Sequence, residues 1–455
     1  MKKIAIGGGQ GFWGDSPDAA IHMIRKADIQ YLGCDYLAEL TLSIMAKQQL
    51  KDPTKGYAPD FVTRLLKEAG KEAWEKNIKI TTNAGGMNIE GCVNAVKNWA
   101  TEQNMKGYKI GYVTGDSIKD KIPQLLKDGW TFPNFDYDGD FHDILDKIYN
   151  CNAYIGHEGI KEALGNGADV VITGRAADSA LFLAPLAYEF GWAENDWDNL
   201  ARGIMAGHLL ECGGQGAGGN YMYDWRNVPR MEDLGFPIAE LTPDTFEITK
   251  APDCGGIICE QSCKEQFLYE VLDPANYMTP DVNVDISKAT ITQAGDNRVR
   301  IDHIHGKERP DTIKLCVGYH KGWKTVSMLS FAWPDAYEKA RYCADVIMKK
   351  MKKRGMKADD VHISFIGVNS LHLNVADMSE EALKNLNECV MRIAVFSEDK
   401  NECAKIIPEI SPMQLNGPPG ASFFGGRARV QEVMALWPTS VPRDVLDIKS
   451  HILEV

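Results

Sequence analysis

The sequence predicts an α/β protein with a mainly parallel N-terminal sheet, followed by an α+β second domain. Three observations carry this prediction. The chain has 455 residues, which is about twice what one comfortable hydrophobic core needs. Its first part repeats a short apolar run, a glycine turn and a helical pattern, and its later part alternates polar and apolar residues. We therefore expect domains at 1–235 and 236–455.

The N-terminal repeat predicts buried strands that are joined by helices. The strand-like runs are IAIGGGQ, QYLGC, IKITT, YKIGYVT, AYIG and DVVITG. Short continuous apolar runs are typical of parallel strands that helices cover on both faces, so the sheet is expected to be Rossmann-like. In such sheets ligands bind at the carboxyl ends of the strands, where this chain carries several polar residues.

The second part is predicted to contain an antiparallel sheet with one solvated face. Alternation of polar and apolar residues extends from about residue 265 to 333. A helix at 334–355, a strand VHISFIGV, a helix SEEALKNLNECVMR and a strand RIAVFSE follow. A loop and helix at 412–445 are expected to pack back on the first domain.

Composition excludes several classes of partner. The 50 basic and 63 acidic residues give a formal net charge of -13, which repels polyanions and argues against nucleic-acid binding. The N-terminus has too few apolar residues for a signal peptide, and no uninterrupted apolar stretch is long enough to span a membrane. We expect a cytoplasmic protein without a membrane partner.

The first candidate binding motif is the glycine run after the first strand. Gly8 and Gly9 are expected to offer free backbone amides to an anion, with Gln10 and Asp15 beside them. Asp15 also suits a helix cap. The run argues against dinucleotide binding, because it places a carboxylate beside the expected pyrophosphate position.

Arg175, Asp178 and Ser179 form the second candidate motif, after the strand DVVI. The forked guanidinium of Arg175 matches a carboxylate or phosphate, and Asp178 could act as a base or orient the arginine. An internal salt bridge with a helix cap at Asp178 is the equally supported alternative.

His208, Glu211 and Cys212 have the spacing that places three side chains on one face of a helix. They suit an acid–base pair or, less well, a divalent metal site. The alternative is a buried structural histidine whose hydrogen bonds are made within the protein. The glycine-rich segment that follows, with Gln215, could close over a ligand.

Four further residues complete the candidate site. Asp35 and Asn83 follow predicted strands, and Gly85 offers another backbone amide. Arg427 ends a rigid loop rich in proline and glycine and is a candidate anion clamp, unless that loop only ties the C-terminus to the first domain.

Several motifs together resemble the acyclic terpene utilisation (AtuA) family. They are IGGGQGFWGDSPDAA, CDYLAELTLSIMAKQ, TNAGGMN, TGRAADSALFLAPLAYEFGW, GHLLECGGQGAGGN, NYMTPDVNVDIS and NGPPGASFFGGRARVQEVMALWP. The resemblance implies a role in degrading branched unsaturated acids, either as coenzyme A thioesters related to isohexenylglutaconyl-CoA or as short diacids such as mesaconate. It also implies an oligomer and a small partner subunit of about a hundred residues.

Hydration beside a carboxylate or thioester needs a base, donors for the enolate oxygen and an anchor. We expect a hydro-lyase in which Asp178 or the His208–Glu211 pair transfers protons, with Asp35 as a further catalytic candidate. Amides near Gly8 and Gly85 are expected to hold the oxyanion, and Arg175 or Arg427 to anchor an anionic substrate. A double-bond isomerase and a non-catalytic binding or assembly subunit are the alternatives. No cofactor is assigned, and a divalent metal is left open.

Overall fold

The computed structural model describes residues 2–455. The strands are β1 (Ile4–Gln10), β2 (Tyr31–Cys34), β3 (Lys79–Thr82), β4 (Lys109–Thr114), β5 (Ile148–Ala153), β6 (Val170–Thr173), β7 (Pro237–Leu241), β8 (Phe246–Lys250), β9 (Tyr277–Met278), β10 (Asn283–Asp285), β11 (Thr290–Gly295), β12 (Arg298–Asp302), β13 (His305–Lys307), β14 (Thr312–Ala332), β15 (Asp360–Ile366), β16 (Glu388–Ser397), β17 (Ser422–Phe423), β18 (Val430–Pro442) and β19 (Lys449–Glu454).

Helices connect most of the early strands. The α-helices are α1 (Asp18–Lys26), α2 (Glu39–Lys51), α3 (Lys71–Glu75), α4 (Ile89–Glu102), α5 (Ile122–Lys127), α6 (Glu158–Gly165), α7 (Ala180–Phe190), α8 (Trp197–Leu210), α9 (Glu260–Leu268), α10 (Ala336–Lys353), α11 (Glu380–Lys384), α12 (Lys400–Ala404), α13 (Ile407–Ile410) and α14 (Met413–Asn416). A π-helical segment, Phe61–Gly70, leads directly into α3.

A ten-stranded mixed sheet forms the centre of the fold. Its order is β11-β12-β8-β7-β1-β2-β3-β6-β4-β19. The middle strands β1, β2, β3, β6 and β4 run parallel, as predicted from the glycine-ended apolar runs. Antiparallel strands extend the sheet on both sides. The predicted α/β class is therefore confirmed.

Helix α7 shows why glycine interrupts the apolar strands. Its residues from Ala180 to Ala187 are buried. A side chain built at Gly33 of β2 would lie 2.2 Å from the Phe182 ring, so glycine is what lets this helix lie against the sheet.

The chain divides into two compact units, one comprising the residues through Gly318 with Leu436–Val455, the other Tyr319–Ala435. These bounds differ from the expected boundary at residue 235, because strands after that residue continue the sheet that begins with β1. Compactness does not establish independent folding, so the expected domains 1–235 and 236–455 stay a prediction.

The second unit is an antiparallel sheet with its own core. Strand β16 pairs with β15 over seven residue pairs and with the later part of β14 over ten. Helix α10 packs on β16, and its buried positions recur at helical spacing, at Ala336, Ala340, Cys343, Ala344, Ile347 and Met351.

Three local predictions are wrong. The helix expected from Ser379 ends at Lys384, and the following residues form β16. The strand expected at AYIG is β5, which ends at Ala153 and pairs with β14 outside the parallel sheet. The helix expected after Arg429 is the strand β18, in which every second residue from Trp437 to Val441 is buried and two prolines disfavour a helix.

Among residues 2–455, the structure contains no helix whose length and apolar character would let it cross a lipid bilayer.

Candidate functional site

A cavity of about 720 Å³ opens in the first compact unit, where the segments that follow β2 and β6 meet. The segment after β6 contributes Arg175, Ala177, Asp178 and Ser179 to the lining, and the segment after β2 contributes Glu39. This is the carboxyl edge of the parallel strands, where the sequence places its candidate polar residues. Other polar lining residues are Tyr154, Glu211, Glu270, Asp273, Asn276, Tyr277, Thr279, Lys314 and Ser440.

Arg175 is the largest fully buried side chain with a charge in the molecule. One of its terminal nitrogens, Nη1, donates to the carbonyl oxygen of Leu37 and, at 2.8 Å, to Oδ1 of Asp178. Its guanidinium lies 4.1 Å from the ring centroid of Tyr154. Asp116 accepts a hydrogen bond of 2.9 Å from the backbone N–H of Arg175, which fixes the start of the segment.

Asp178 both pairs with Arg175 and faces the cavity. About a third of its side chain remains exposed, at 33%. Burial raises the pKa of Asp178, Arg175 lowers it, and the nearby carboxylates of Asp35 and Glu211 raise it further. The net direction is upward, because burial and the neighbouring carboxylates together outweigh the single buried guanidinium. The salt-bridge interpretation and the ligand-contact interpretation of this motif are therefore compatible.

Residues 4–452 match the acyclic terpene utilisation family protein AtuA. The chain belongs to the AtuA family. A role in acyclic terpene utilisation follows from this membership. Searches of curated proteins and of solved structures gave no significant match.

Asp35 lies in the AtuA chain's buried polar network behind Arg175. Its Oδ1 accepts hydrogen bonds from the backbone N–H of Leu37 at 3.0 Å and from the amide of Asn83 at 2.6 Å. Asn83 in turn accepts from the backbone N–H of Tyr36 at 2.7 Å. Burial raises the pKa of Asp35 to about 6, although Arg175 and these donors lower it. Asp35 and Asn83 thus support the cavity from behind.

Glu39, Tyr154 and Lys314 form a polar group at the other side of Arg175. The Tyr154 hydroxyl donates to Glu39, and Lys314 Nζ lies 3.5 Å from the same carboxylate oxygen. Burial alone would raise the pKa of Glu39, but Arg175, the Tyr154 hydroxyl and Lys314 lower it to about 2. Glu39 is therefore a fixed anion between two cations.

His208 and Glu211 form the expected pair at the end of α8. His208 Nδ1 lies 3.0 Å from Glu211 Oε1, and the other ring nitrogen is buried without a hydrogen-bond partner. Glu211 reaches the cavity, whereas the buried His208 ring packs at 5.5 Å from the Tyr277 ring, which lines it. His208 can thus orient Glu211, and only Glu211 of the pair lines the cavity.

The glycine run has another role than expected. Gly8 and Gly9 lie inside β1 and are buried, not in a turn. A side chain at Gly8 would meet the Leu210 carbonyl oxygen at 2.6 Å, so glycine here permits the close approach of the end of α8. The turn begins at Gly11, where Asp15 accepts the backbone N–H of Gly11 at 3.1 Å.

Four other candidates do not line this cavity. Gln10 is buried and donates to the Asp15 carbonyl oxygen at 2.8 Å. Gly85 packs against the Thr173 carbonyl oxygen, which would lie 2.5 Å from a Cβ added at this glycine. Gln215 donates to Gln266 at 2.9 Å and lines a separate small cavity of about 80 Å³. Arg427 is exposed and belongs to the second compact unit.

Sequence reasoning missed Glu39, Tyr154, Tyr277 and Lys314 as lining residues. Glu39 stands four residues after Asp35, Tyr154 lies in the strand-like run AYIG, and Tyr277 lies in the family motif NYMTPDVNVDIS, so each had a signal. Lys314 had none, because one polar residue in the alternating strand β14 looks the same as any other solvent-facing position.

Proposed function

We propose that the cavity is the active site of a hydratase that adds water to the double bond of a branched, unsaturated acyl thioester. The observation that supports it best is the meeting of Asp178 and Glu211, from two different segments, around the buried Arg175. Two carboxylates with different surroundings are suited to act as an acid and a base on one substrate.

The charge of the cavity favours a thioester over a free diacid. Five carboxylates line it, namely Glu39, Asp178, Glu211, Glu270 and Asp273, against two cations, Arg175 and Lys314. Both cations already contact carboxylates. A mesaconate-like dianion would meet like charge without a free cation to offset it, whereas the carbonyl of a thioester carries no net charge.

The apolar part of the lining suits a branched hydrocarbon chain. Phe135, Leu272 and Met278 are largely exposed at the rim, and Ala177 and Pro280 lie deeper. A methyl-branched chain that covers these side chains gains about 25 cal/mol for each Å² of apolar surface removed from water. This composition fits the family's role in acyclic terpene utilisation.

In the proposed reaction Glu211 is the base and Asp178 the acid. Glu211 takes a proton from water as the water oxygen bonds to the β-carbon. The π electrons of the double bond shift toward the thioester carbonyl, and the α-carbon then takes the proton of Asp178. The raised pKa of Asp178 favours the protonated form that this step needs. Arg175 orients Asp178, and His208 orients Glu211.

Incubation with 3-methylcrotonyl-CoA in deuterated water, followed by NMR, tests the proposal. The expected result is a β-hydroxy product with deuterium at the α-carbon, and a loss of at least about 100-fold in turnover in Asp178→Asn and Glu211→Gln. Asp273→Asn, which changes an exposed lining carboxylate, is the matched control.

Four outcomes would each contradict part of the proposal. Deuterium uptake with a shifted double bond and no hydroxyl indicates an isomerase. Unchanged turnover in Asp178→Asn removes the proposed acid. Binding of the thioester without any exchange by the folded protein favours a non-catalytic subunit, and turnover of mesaconate at an equal rate contradicts the charge argument.

A further inference from the structure

Beside the cavity lies a second polar cluster that the proposed hydration does not use. It consists of His157, Glu158 and Asp281, and one nitrogen or oxygen of each lies within 4.8 Å of the others. Asp281 follows Pro280, which lines the cavity, and His157 directly precedes α6. All three residues belong to the first compact unit.

The cluster leaves buried polar atoms without partners. The side chains of His157 and Asp281 are 1% and 0% exposed. His157 Nδ1 and the His157 backbone nitrogen lie 2.7 and 3.0 Å from Asp281 Oδ1, which holds the carboxylate in place. The remaining ring nitrogen, Nε2, and the remaining carboxylate oxygen, Oδ2, have no hydrogen-bond partner. An unpaired buried carboxylate oxygen costs about 1–3 kcal/mol, and a cation bound to the Asp281 carboxylate would offset this cost.

Gly156 lets the two carboxylates lie close together against the backbone. A Cβ built at Gly156 would lie 2.2 Å from Asp281 Oδ1 and 2.7 Å from Glu158 Oε2. Any other residue at position 156 would therefore displace both oxygens. Two carboxylates that lie together beside an imidazole are typical ligands of a divalent transition-metal ion.

The neighbouring arginines contact other atoms than the proposed ligand oxygens. Arg309 contacts Glu158 through Oε1, while Oε2 is the oxygen that faces Gly156. Arg443 donates to the carbonyl oxygens of Pro280 and Pro310. The arginines thus hold the walls of the cluster and offset part of its charge, and neither hydrogen-bonds to Asp281 Oδ2.

We propose that His157, Glu158 and Asp281 bind one divalent first-row transition-metal ion, such as Mn²⁺ or Zn²⁺, through one imidazole nitrogen and two carboxylates. The ion would replace the proton that His157 Nδ1 and Asp281 Oδ1 share, and their separation of 2.7 Å is close to the spacing of about 3 Å between adjacent ligands of such an ion. Glu158, whose side chain is 37% exposed, can complete the site by a small rotation.

Binding of the metal alone tests this inference without any substrate, so its outcome is independent of the hydratase. The full-length protein, stripped with a chelator and dialysed against Mn²⁺, should retain one ion per chain, and Zn²⁺ should displace it. The electron spin echo of bound Mn²⁺ should show coupling to a ¹⁴N nucleus. His157→Gln should lose this coupling and bind Mn²⁺ at least about 10-fold more weakly.

His142→Gln is the matched control, because His142 forms a similar pair with Asp140 but on the surface, where both side chains are about two-thirds exposed, at 65% and 66%. It should leave stoichiometry and coupling unchanged. Glu158→Gln changes the most exposed ligand and decides the question if His157→Gln does not fold. Retention of neither ion by the wild type, or unaltered Mn²⁺ affinity in Glu158→Gln, would overturn the proposal.

Discussion

Arg175 is the residue on which the geometry of the candidate site depends. Its guanidinium contacts the Leu37 carbonyl oxygen, the Asp178 carboxylate and the Tyr154 ring, which come from three separate segments. A buried arginine with planar, forked donors can hold all three at once, and no other side chain has that geometry.

Arg175→Met should therefore destabilise the protein by about 3 kcal/mol, because it leaves the partner carboxylates without their buried cation. Chemical denaturation measures this change. Arg175→Met combined with Asp178→Asn should recover part of the loss. Arg300→Met, which removes an arginine from the more exposed pair with Asp302, is the control and should have a much smaller effect. A loss of the same size in both single variants would contradict the central role of Arg175.

Asp35 should make stability depend on pH. Because its pKa is raised to about 6 in the folded protein, its protonated form is favoured by folding. Its contribution is present below the unfolded pKa of about 4 and is lost as pH rises through 6, by an amount on the order of 3 kcal/mol.

The difference in unfolding free energy between wild type and Asp35→Asn, measured from pH 3 to 8, should fall across this window. Asp52→Asn gives a control of opposite sign, since hydrogen bonds from Thr54 lower the pKa of Asp52. A difference that stays constant with pH for Asp35→Asn would show that burial does not raise this pKa.

At this scale the sequence predicted the site incompletely. The candidates Arg175, Asp178 and Glu211 line one cavity, because each follows an apolar run or ends a helix, and their roles stay predictions. Lys314 could not be predicted, since it reaches the cavity from a strand far along the chain. Arg427 lies in the other compact unit, and its role as an anchor stays a prediction.

At the scale of elements, helix α8 comes close enough to the segment before α7 to place Glu211 at the cavity. Gly207 permits this close packing because it has no side chain. A Cβ added there would lie 2.7 Å from the Ser179 carbonyl oxygen. Ser179 itself lines the cavity next to Asp178. The packing of the two helices therefore sets the position of both proposed catalytic carboxylates.

Gly207→Ala should destabilise the protein by about 1–3 kcal/mol and lower turnover, because the added methyl pushes the helices apart. Thermal unfolding and the thioester assay measure the two effects. Gly165→Ala in α6 is the control, because its Cβ would meet only Tyr188, at an ordinary 3.8 Å. That variant should be neutral or slightly stabilising, through the better helix propensity of alanine. Equal effects of the two substitutions would refute the packing argument.

Sequence periodicity predicted the parallel strands well, because a buried strand must be apolar throughout and glycine ends it. Periodicity failed where the residue types of a segment suit two different secondary structures. Gly8 and Gly9 lie inside β1 and not in a turn. Gly8 has no side chain because the end of α8 packs there, and Gly9 because Leu32 and Cys34 of β2 pack there, and neither contact is visible in the local sequence. The segment Val430–Pro442 contains enough apolar residues for either a helix or a strand.

At the scale of the whole molecule, β19 completes one edge of the central sheet. It pairs with β4 from Lys449 opposite Thr114 to Glu454 opposite Lys109, and the Gly107 backbone N–H donates to the Val455 carbonyl oxygen at 2.8 Å. Without it, β4 would present a row of unpaired backbone groups.

Removal of Lys449–Val455 should therefore lower the denaturant midpoint and cause concentration-dependent self-association, which light scattering after size-exclusion chromatography detects. Lys449→Gln keeps the strand and is the control. A truncated protein that stays monodisperse with an unchanged denaturant midpoint would show that β4 does not need pairing with β19.

The pairing of β4 with β19 joins residues more than three hundred positions apart along the chain. During synthesis the nascent polypeptide must hold the β4 edge open until residue 454 has left the ribosome. Closing so long a loop is entropically costly and slow, and the waiting edge is open to wrong partners. Chaperone dependence during translation, more than during refolding of the finished chain at low concentration, is the expected consequence for its production in cells.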